Sequence, residues 1–229
     1  MARALTIISS MATRLMLAEL AGSYRLRQGL EVELEAVGGV DAARRVEAGE
    51  SFDLVVLADS VLMRLGAAGF VDPATITPIA AADVAVAVRE GVALPAIDTE
   101  SALRDAVLAA RTIGYSTGPS GQHLLKVFER WGISDAVASR IVQAPPGVPV
   151  GKLIADGQVE LGFQQLSELI SLKGIQIAGP LPVGVQVTTV FAGAVCARSS
   201  QPDQALVLLR DLADTGHDAL RRRHGMAPV

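Results

Sequence analysis

The sequence predicts an α/β protein of two lobes joined by two crossover strands, and three patterns carry the prediction. Short apolar runs alternate with amphipathic stretches over residues 5–69 in a β-α-β-α-β-α rhythm, the mark of an open α/β sheet. Two long extended stretches, 76–88 and 185–197, bracket a middle segment. That middle segment alternates again on its own, so the chain is expected to leave one lobe and later return to it. The first lobe is assigned residues 1–81 and 191–229, the second residues 82–190, with the two crossings as a hinge. Lobes joined this way form a cleft that binds ligands by hinge closure.

Residues 5–9 read as a buried strand, followed by a helix over about 12–25 that turns Leu15, Leu17, Leu20 and Ala21 inward. A second strand over 32–36 carries Glu31, Glu33 and Glu35 on its alternate face. Gly38-Gly39 makes a turn, with Asp41 as N-cap of the next helix. The run Leu54-Val-Val-Leu57 is apolar throughout, as in a parallel strand buried on both faces, and Asp59-Ser60 starts a helix after it. The stretch 76–88 is extended, with an interruption near Ala81-Ala82. The middle segment is expected to hold helices over 100–110, 120–131, 134–139 and 148–155 and strands over 112–116, 141–144 and 160–165. One helix over 202–222 closes the first lobe and ends in Arg221-Arg222-Arg223, a solvated terminus favoured by the helix dipole.

Composition excludes several classes. Half of the 229 residues are apolar and only 3% are aromatic, so the core is built from Ala, Val, Leu and Ile. A net charge of −4 argues against a nucleic-acid partner, and no apolar run is long enough for membrane insertion. A single Cys196 precludes a disulfide framework, and three histidines leave no expected metal site. No cofactor is expected either, because no catalytic triad and no phosphate loop of the Walker type is readable. The strand at residue 5 leaves no room for the apolar region of a secretory leader. As it stands the chain is therefore expected to be cytoplasmic, or periplasmic if a leader has been removed.

The stretch Thr112–Ile133 carries the strongest local signal. It reads as a short strand, a glycine-rich turn at Gly118-Pro-Ser-Gly121 and an amphipathic helix with Ser120 at its N-cap and Leu124, Leu125, Phe128 and Trp131 at helical spacing. The free N–H groups of the helix start and the Ser116, Thr117 and Ser120 hydroxyls favour an anion; the alternative is a well-capped strand–turn–helix joint. Ser9 and Ser10 lie at a strand's carboxyl edge, where open α/β sheets bind ligands, or serve as caps of the first helix. His123 is either a proton carrier or a solvated or packed side chain. Arg14 is a surface charge or a ligand clamp. Gln164 and Gln165 are polar amides ending an apolar strand and need partners, a ligand among them.

The segments Leu5-Thr-Ile-Ile-Ser-Ser10, Arg45-Val-Glu-Ala-Gly-Glu-Ser-Phe-Asp-Leu-Val-Val-Leu-Ala-Asp59, Gly114-Tyr-Ser-Thr-Gly-Pro-Ser-Gly121, Val159-Glu-Leu-Gly-Phe163 and Gly179-Pro-Leu-Pro182 resemble the molybdate-binding family of periplasmic solute-binding proteins. The resemblance covers nearly the whole chain. It implies a two-lobed type II periplasmic-binding-protein fold with a hinged interlobe cleft. By position it implies an oxyanion site at Ser9-Ser10, Gly38-Gly39-Val40, Ser120 beside Gly121, Val148 and Gln165. Where the family tends to show serines this chain has Gly38, Gly39 and Val40, and where the family often has tyrosines it has His123 and Gln165. Amides together with Arg14 and His123 suit a longer carboxylate at least as well as a tetrahedral oxyanion.

Members resembling this family include aconitate isomerases, which move a proton along a small tricarboxylate. The expected function is accordingly to bind a small organic polycarboxylate and isomerise it by cofactor-free proton transfer. Ser9, Ser10, Ser120, Gln165 and Arg14 would hold the carboxylates, and His123, Ser116 or Thr117 would carry the proton. The alternative is the solute-binding component of an ABC importer for molybdate or another small anion, with an ABC permease as partner.

Overall fold

The computed structural model describes residues 3–229. The chain divides into two compact units, Met1–Ala82 with Thr189–Val229, and Asp83–Thr188.

In the first unit β1 (Leu5–Ser10) runs into a single 3-10 turn (Met11–Thr13) and then α1 (Arg14–Gln28). The helix starts two residues later than its apolar spacing suggests, because the Ser10 hydroxyl first caps the 3-10 turn. Its buried face is Met16, Leu17, Leu20, Ala21 and Tyr24, while Leu15 is only half-buried. Next come β2 (Val32–Val37), α2 (Gly39–Glu47), β3 (Leu54–Ala58) and α3 (Asp59–Ala67). The glutamates flanking and within β2 face solvent, as their alternation predicts for an edge strand. Asp41 is not the cap of α2. Gly38 holds that place, and Asp41 lies in the first turn, paired with Arg44. Strand β3 is buried at every position, with β1 parallel on one side.

The chain then enters β4 (Thr77–Arg89), which passes from the first unit to the second without the interruption expected at Ala81-Ala82. The second unit contains α4 (Glu100–Ala109), β5 (Ile113–Tyr115), α5 (Pro119–Arg130), α6 (Ser134–Val137), β6 (Ile141–Gln143), α7 (Val150–Ala155), β7 (Leu161–Gln165), α8 (Leu166–Leu169) and β8 (Ile175–Pro180). Its strands are ordered β8-β4-β7-β5-β6, with β5 parallel to β6 and β7, and β4 antiparallel to β7 and β8. Two starts differ from expectation for physical reasons. The cap of α5 is Gly118 rather than Ser120, because Pro119 lacks an N–H and its fixed φ suits the first helical position. Helix α7 begins at Val150 because the Val148 N–H closes a turn onto the Pro145 carbonyl, 3.0 Å away. The short α8 and β8 carry no long periodic pattern and are absent from the sequence expectation.

The chain returns to the first unit through β9 (Thr188–Val195), which pairs antiparallel with β3 and adjoins β4, giving that unit the order β2-β1-β3-β9-β4. The single helix expected over 202–222 is broken. Helix α9 (Pro202–Ala213) stops at Asp214, whose carboxylate caps a 3-10 turn, and α10 (Asp218–Arg223) follows. Arg221 corrects a further expectation, since it is only 1% exposed. Its guanidinium donates to the carbonyls of Ile79 (2.7 Å), Leu212 (2.9 Å) and Asp214 (2.9 Å) and to the Asp218 carboxylate (2.7 Å), pinning the C-terminal helix to β4. A buried guanidinium persists only with such a complete set of acceptors.

Candidate functional site

In the first unit the parallel register places Ser10 beside Val37, so β1 and β2 end side by side at their carboxyl edges. Ser9 is fully buried and its hydroxyl reaches the Ser10 carbonyl at 3.3 Å. The Ser10 hydroxyl accepts from the Ala12 N–H at 3.3 Å, and Thr13, a buried hydroxyl that sequence reading passed over, donates to the Ser10 carbonyl at 3.0 Å. Gly38 caps α2 and brings no side chain to the first N–H groups of the helix, which as at any helix start have no partner within it. A Cβ at Gly39 would stand 3.8 Å from the Ser10 hydroxyl, so these two predicted residues are brought together. Val40 is exposed on the first turn of α2. Arg14 is exposed at the start of α1, its backbone N–H donates to the Met11 carbonyl, and its guanidinium makes no hydrogen bond or ion pair among the described residues.

In the second unit Tyr115 pairs with Phe163, so β5 and β7 end next to each other, with Ser116 following one and Gln164-Gln165 ending the other. The Ser116 and Ser120 hydroxyls are 3.1 Å apart. Their approach requires Gly121, where a Cβ would lie 1.9 Å from the Ser116 carbonyl oxygen. Thr117 is half-buried in the same turn. His123 follows Ser120 by one helical turn, on the same side of α5, and its Nε2 is 3.0 Å from the Val185 carbonyl. That carbonyl can only accept, so Nε2 carries the hydrogen and the neutral ring has its lone pair on Nδ1.

Two other predicted residues have their polar groups engaged within the protein. The Gln164 carboxamide accepts from the buried Val150 N–H and donates to the Glu168 carboxylate, both at 2.8 Å. It joins the start of α7 to the end of β7, a partnership across 14 residues that the strand pattern could not reveal. The Val148 N–H belongs to the turn already described. Gln165 is buried at the last position of β7.

Burial, with the Asp53 carboxylate nearby, pushes the Cys196 thiol up to about 12, which removes it as a nucleophile. No cluster of three or more metal-ligating side chains occurs among the described residues, and no helix among them is long and apolar enough to cross a membrane.

A family model described as a bacterial extracellular solute-binding protein matches residues 5–227. The chain belongs to that family. Within the bacterial extracellular solute-binding proteins its architecture is the type II periplasmic-binding-protein fold of the molybdate-binding-like members. A curated relative, an aconitate isomerase from Pseudomonas sp, is 31% identical over 231 residues, covering 98% of this chain and 88% of the relative. Among solved structures, the periplasmic molybdate-binding protein of Azotobacter vinelandii superposes with a TM-score of 0.82 at 19% identity, covering 97% of this chain and 98% of that one. The sulfate-binding protein of Mycobacterium tuberculosis gives 0.80 at 17% identity, covering 100% and 88%.

Proposed function

We propose that this solute-binding protein binds a small organic polycarboxylate and isomerises it by cofactor-independent proton transfer; its relative is named an aconitate isomerase. The observation that carries the reading is the orientation of His123. Its Nε2–H is committed to the Val185 carbonyl, so its free lone pair lies on Nδ1, one helical turn from the Ser116–Ser120 hydroxyl pair. The 31% identity across 98% of the chain supports it. In the proposed step Nδ1 takes a proton from a carbon next to a carboxylate and the double bond. The electron pair moves across the three-carbon unit, the double bond shifts, and the proton is returned at the far carbon, so nothing is gained or lost. The Ser116 or Thr117 hydroxyl is the alternative carrier. Negative charge developing on the substrate carboxylate is met by hydroxyl and N–H donors, an arrangement that stabilises a transition state when it is fixed beforehand. The proposed donors beside His123 are Ser120, Gly121 and Gln165 of the second unit; Ser9, Ser10, Arg14 and the Gly38-Gly39-Val40 helix start are the proposed anion-binding set of the first.

A second reading, the solute-binding component of an ABC importer for molybdate or another small anion, is favoured by the description of the matching family. Thermal shift separates the two, since a ligand that binds only the folded state raises Tm. A shift with unsaturated tricarboxylates, followed by deuterium entering the isomerised product in deuterium oxide, supports the isomerase. A shift confined to molybdate, tungstate or sulfate sinks it and leaves the importer reading. In the first case His123→Gln is expected to lower kcat by at least ~100-fold with little change in KM.

A further inference from the structure

A neutral imidazole has two tautomers, and only one puts the lone pair on Nδ1. Which of them His123 adopts depends on where the Val185 carbonyl stands. That carbonyl lies between β8, which ends at Pro180, and β9, which begins at Thr188, so no regular strand fixes it. One side chain takes the place of a strand ladder. The Gln186 carboxamide oxygen accepts from the Val84 N–H (3.2 Å) and the Val187 N–H (2.9 Å), while its nitrogen donates to the carbonyls of Val84 (3.2 Å) and Leu181 (3.3 Å). It thus pairs with both backbone groups of Val84 in β4, as a neighbouring strand residue would. A second hold comes from α5 itself. Arg130, two turns beyond His123, donates to the Gly184 carbonyl at 3.3 Å and to the Glu100 carboxylate at 2.7 Å. Helix α5 therefore grips two successive carbonyls, Gly184 by Arg130 and Val185 by His123.

We infer that Gln186 is a positioning residue for His123, holding the Val185 carbonyl where it selects the Nε2–H tautomer. The inference rests on His123 as the proton carrier of the proposed isomerisation. Gln186 acts only through the backbone and touches no substrate. Gln186→Leu removes all four bonds at nearly constant volume, releasing the carbonyl and admitting the other tautomer.

The test uses the full chain with 15N-labelled histidine and long-range 1H–15N spectra. The three histidines are few enough to assign, with His123→Gln identifying the signal. The wild type is expected to show the Nε2–H pattern at His123. Gln186→Leu is expected to show a mixture of tautomers, with kcat lowered ~10-fold and KM changed less than ~2-fold. Arg130→Gln, which removes a partly exposed contact, should shift the mixture the same way by less, and it serves if the first variant does not fold. Folded Gln186→Leu with wild-type tautomer signals overturns the inference, as does an unchanged Arg130→Gln where Gln186→Leu is lost. Tautomer shifts as expected, in a protein that turns over no polycarboxylate, support the positioning and overturn the isomerase reading instead.

Discussion

The two sets of strand ends differ in how much of their hydrogen bonding is already spent inside the protein. Both units start a helix at a glycine with no side-chain cap, Gly38 before α2 and Gly118 before α5, and in the first unit the Ser10 hydroxyl serves its own 3-10 turn. In the second, Ser116 meets Ser120, Gln164 ties Val150 to Glu168, Val148 closes a turn and His123 is fixed by Val185. Under the proposed function, both helix starts offer backbone N–H groups to charge, and the second unit adds groups oriented in advance. Preorganised groups need not reorient during the reaction, which suits the chemical step. Open helix starts suit charge neutralisation.

The largest expected difference is at the two helix-start glycines, Gly39 in α2 and Gly121 in α5. Gly121→Ala places a Cβ 1.9 Å from the Ser116 carbonyl oxygen, a backbone atom that cannot swing aside. The expected loss is about 3 kcal/mol or more, read by urea unfolding. Gly39→Ala meets nothing closer than 3.8 Å and is expected to change stability by less than ~0.5 kcal/mol. Its methyl would sit beside the Ser10 hydroxyl, so ligand affinity should fall while stability holds. Equal destabilisation by the two substitutions would break the comparison.

A smaller contrast separates Gln164 from Ser10. Gln164→Leu strands a buried Val150 N–H and should cost about 2 kcal/mol, with ligand affinity kept once the variant is folded. Ser10→Ala removes one cap of a short turn and should cost about 1 kcal/mol or less, yet weaken binding. Urea curves and ligand titrations on both variants check this. A Gln164→Leu protein that folds normally but no longer binds would place its carboxamide at the ligand after all.

These pairs also show what the sequence could reveal. Periodicity located most strands and helices because each buries a face whose spacing is local, as in the all-apolar Leu54–Ala58 and the alternating glutamates around β2. It failed where the deciding partner is distant. Arg221 looks like one of three solvated arginines until the Ile79 carbonyl, 142 residues away, accepts from it. Gln164 looks like a group in need of a partner, a ligand among them, and His123 reads as a proton carrier or a solvated or packed side chain, until Val150 and Val185 supply their partners. Gly121 was legible as a glycine in a turn. The Ser116 oxygen that makes it obligatory was not.

The smallest predicted effect sharpens the comparison through carboxyl groups. In the first unit, hydrogen bonds and charge from the Arg45 guanidinium hold the Glu35 and Glu50 carboxyls below the usual carboxylate range. In the second unit Glu100 is held down first by the Trp131 indole N–H and then by Arg130. All three values are depressed on folding, so each contribution to stability is present above the unfolded value near 4.5 and is lost as pH falls through the folded one. The groups are exposed, so each effect is small. Salt should separate them, because at about 1 M the screening length drops to ~3 Å, while an indole hydrogen bond carries no ionic charge to screen. Carboxyl 13C titrations at low and high salt are expected to show Glu35 and Glu50 rising toward 4.5 while Glu100 keeps most of its depression. If Glu100 rises as far as the other two, Arg130 rather than Trp131 governs it, and the support that Arg130 gives the Gly184 carbonyl would itself weaken with salt.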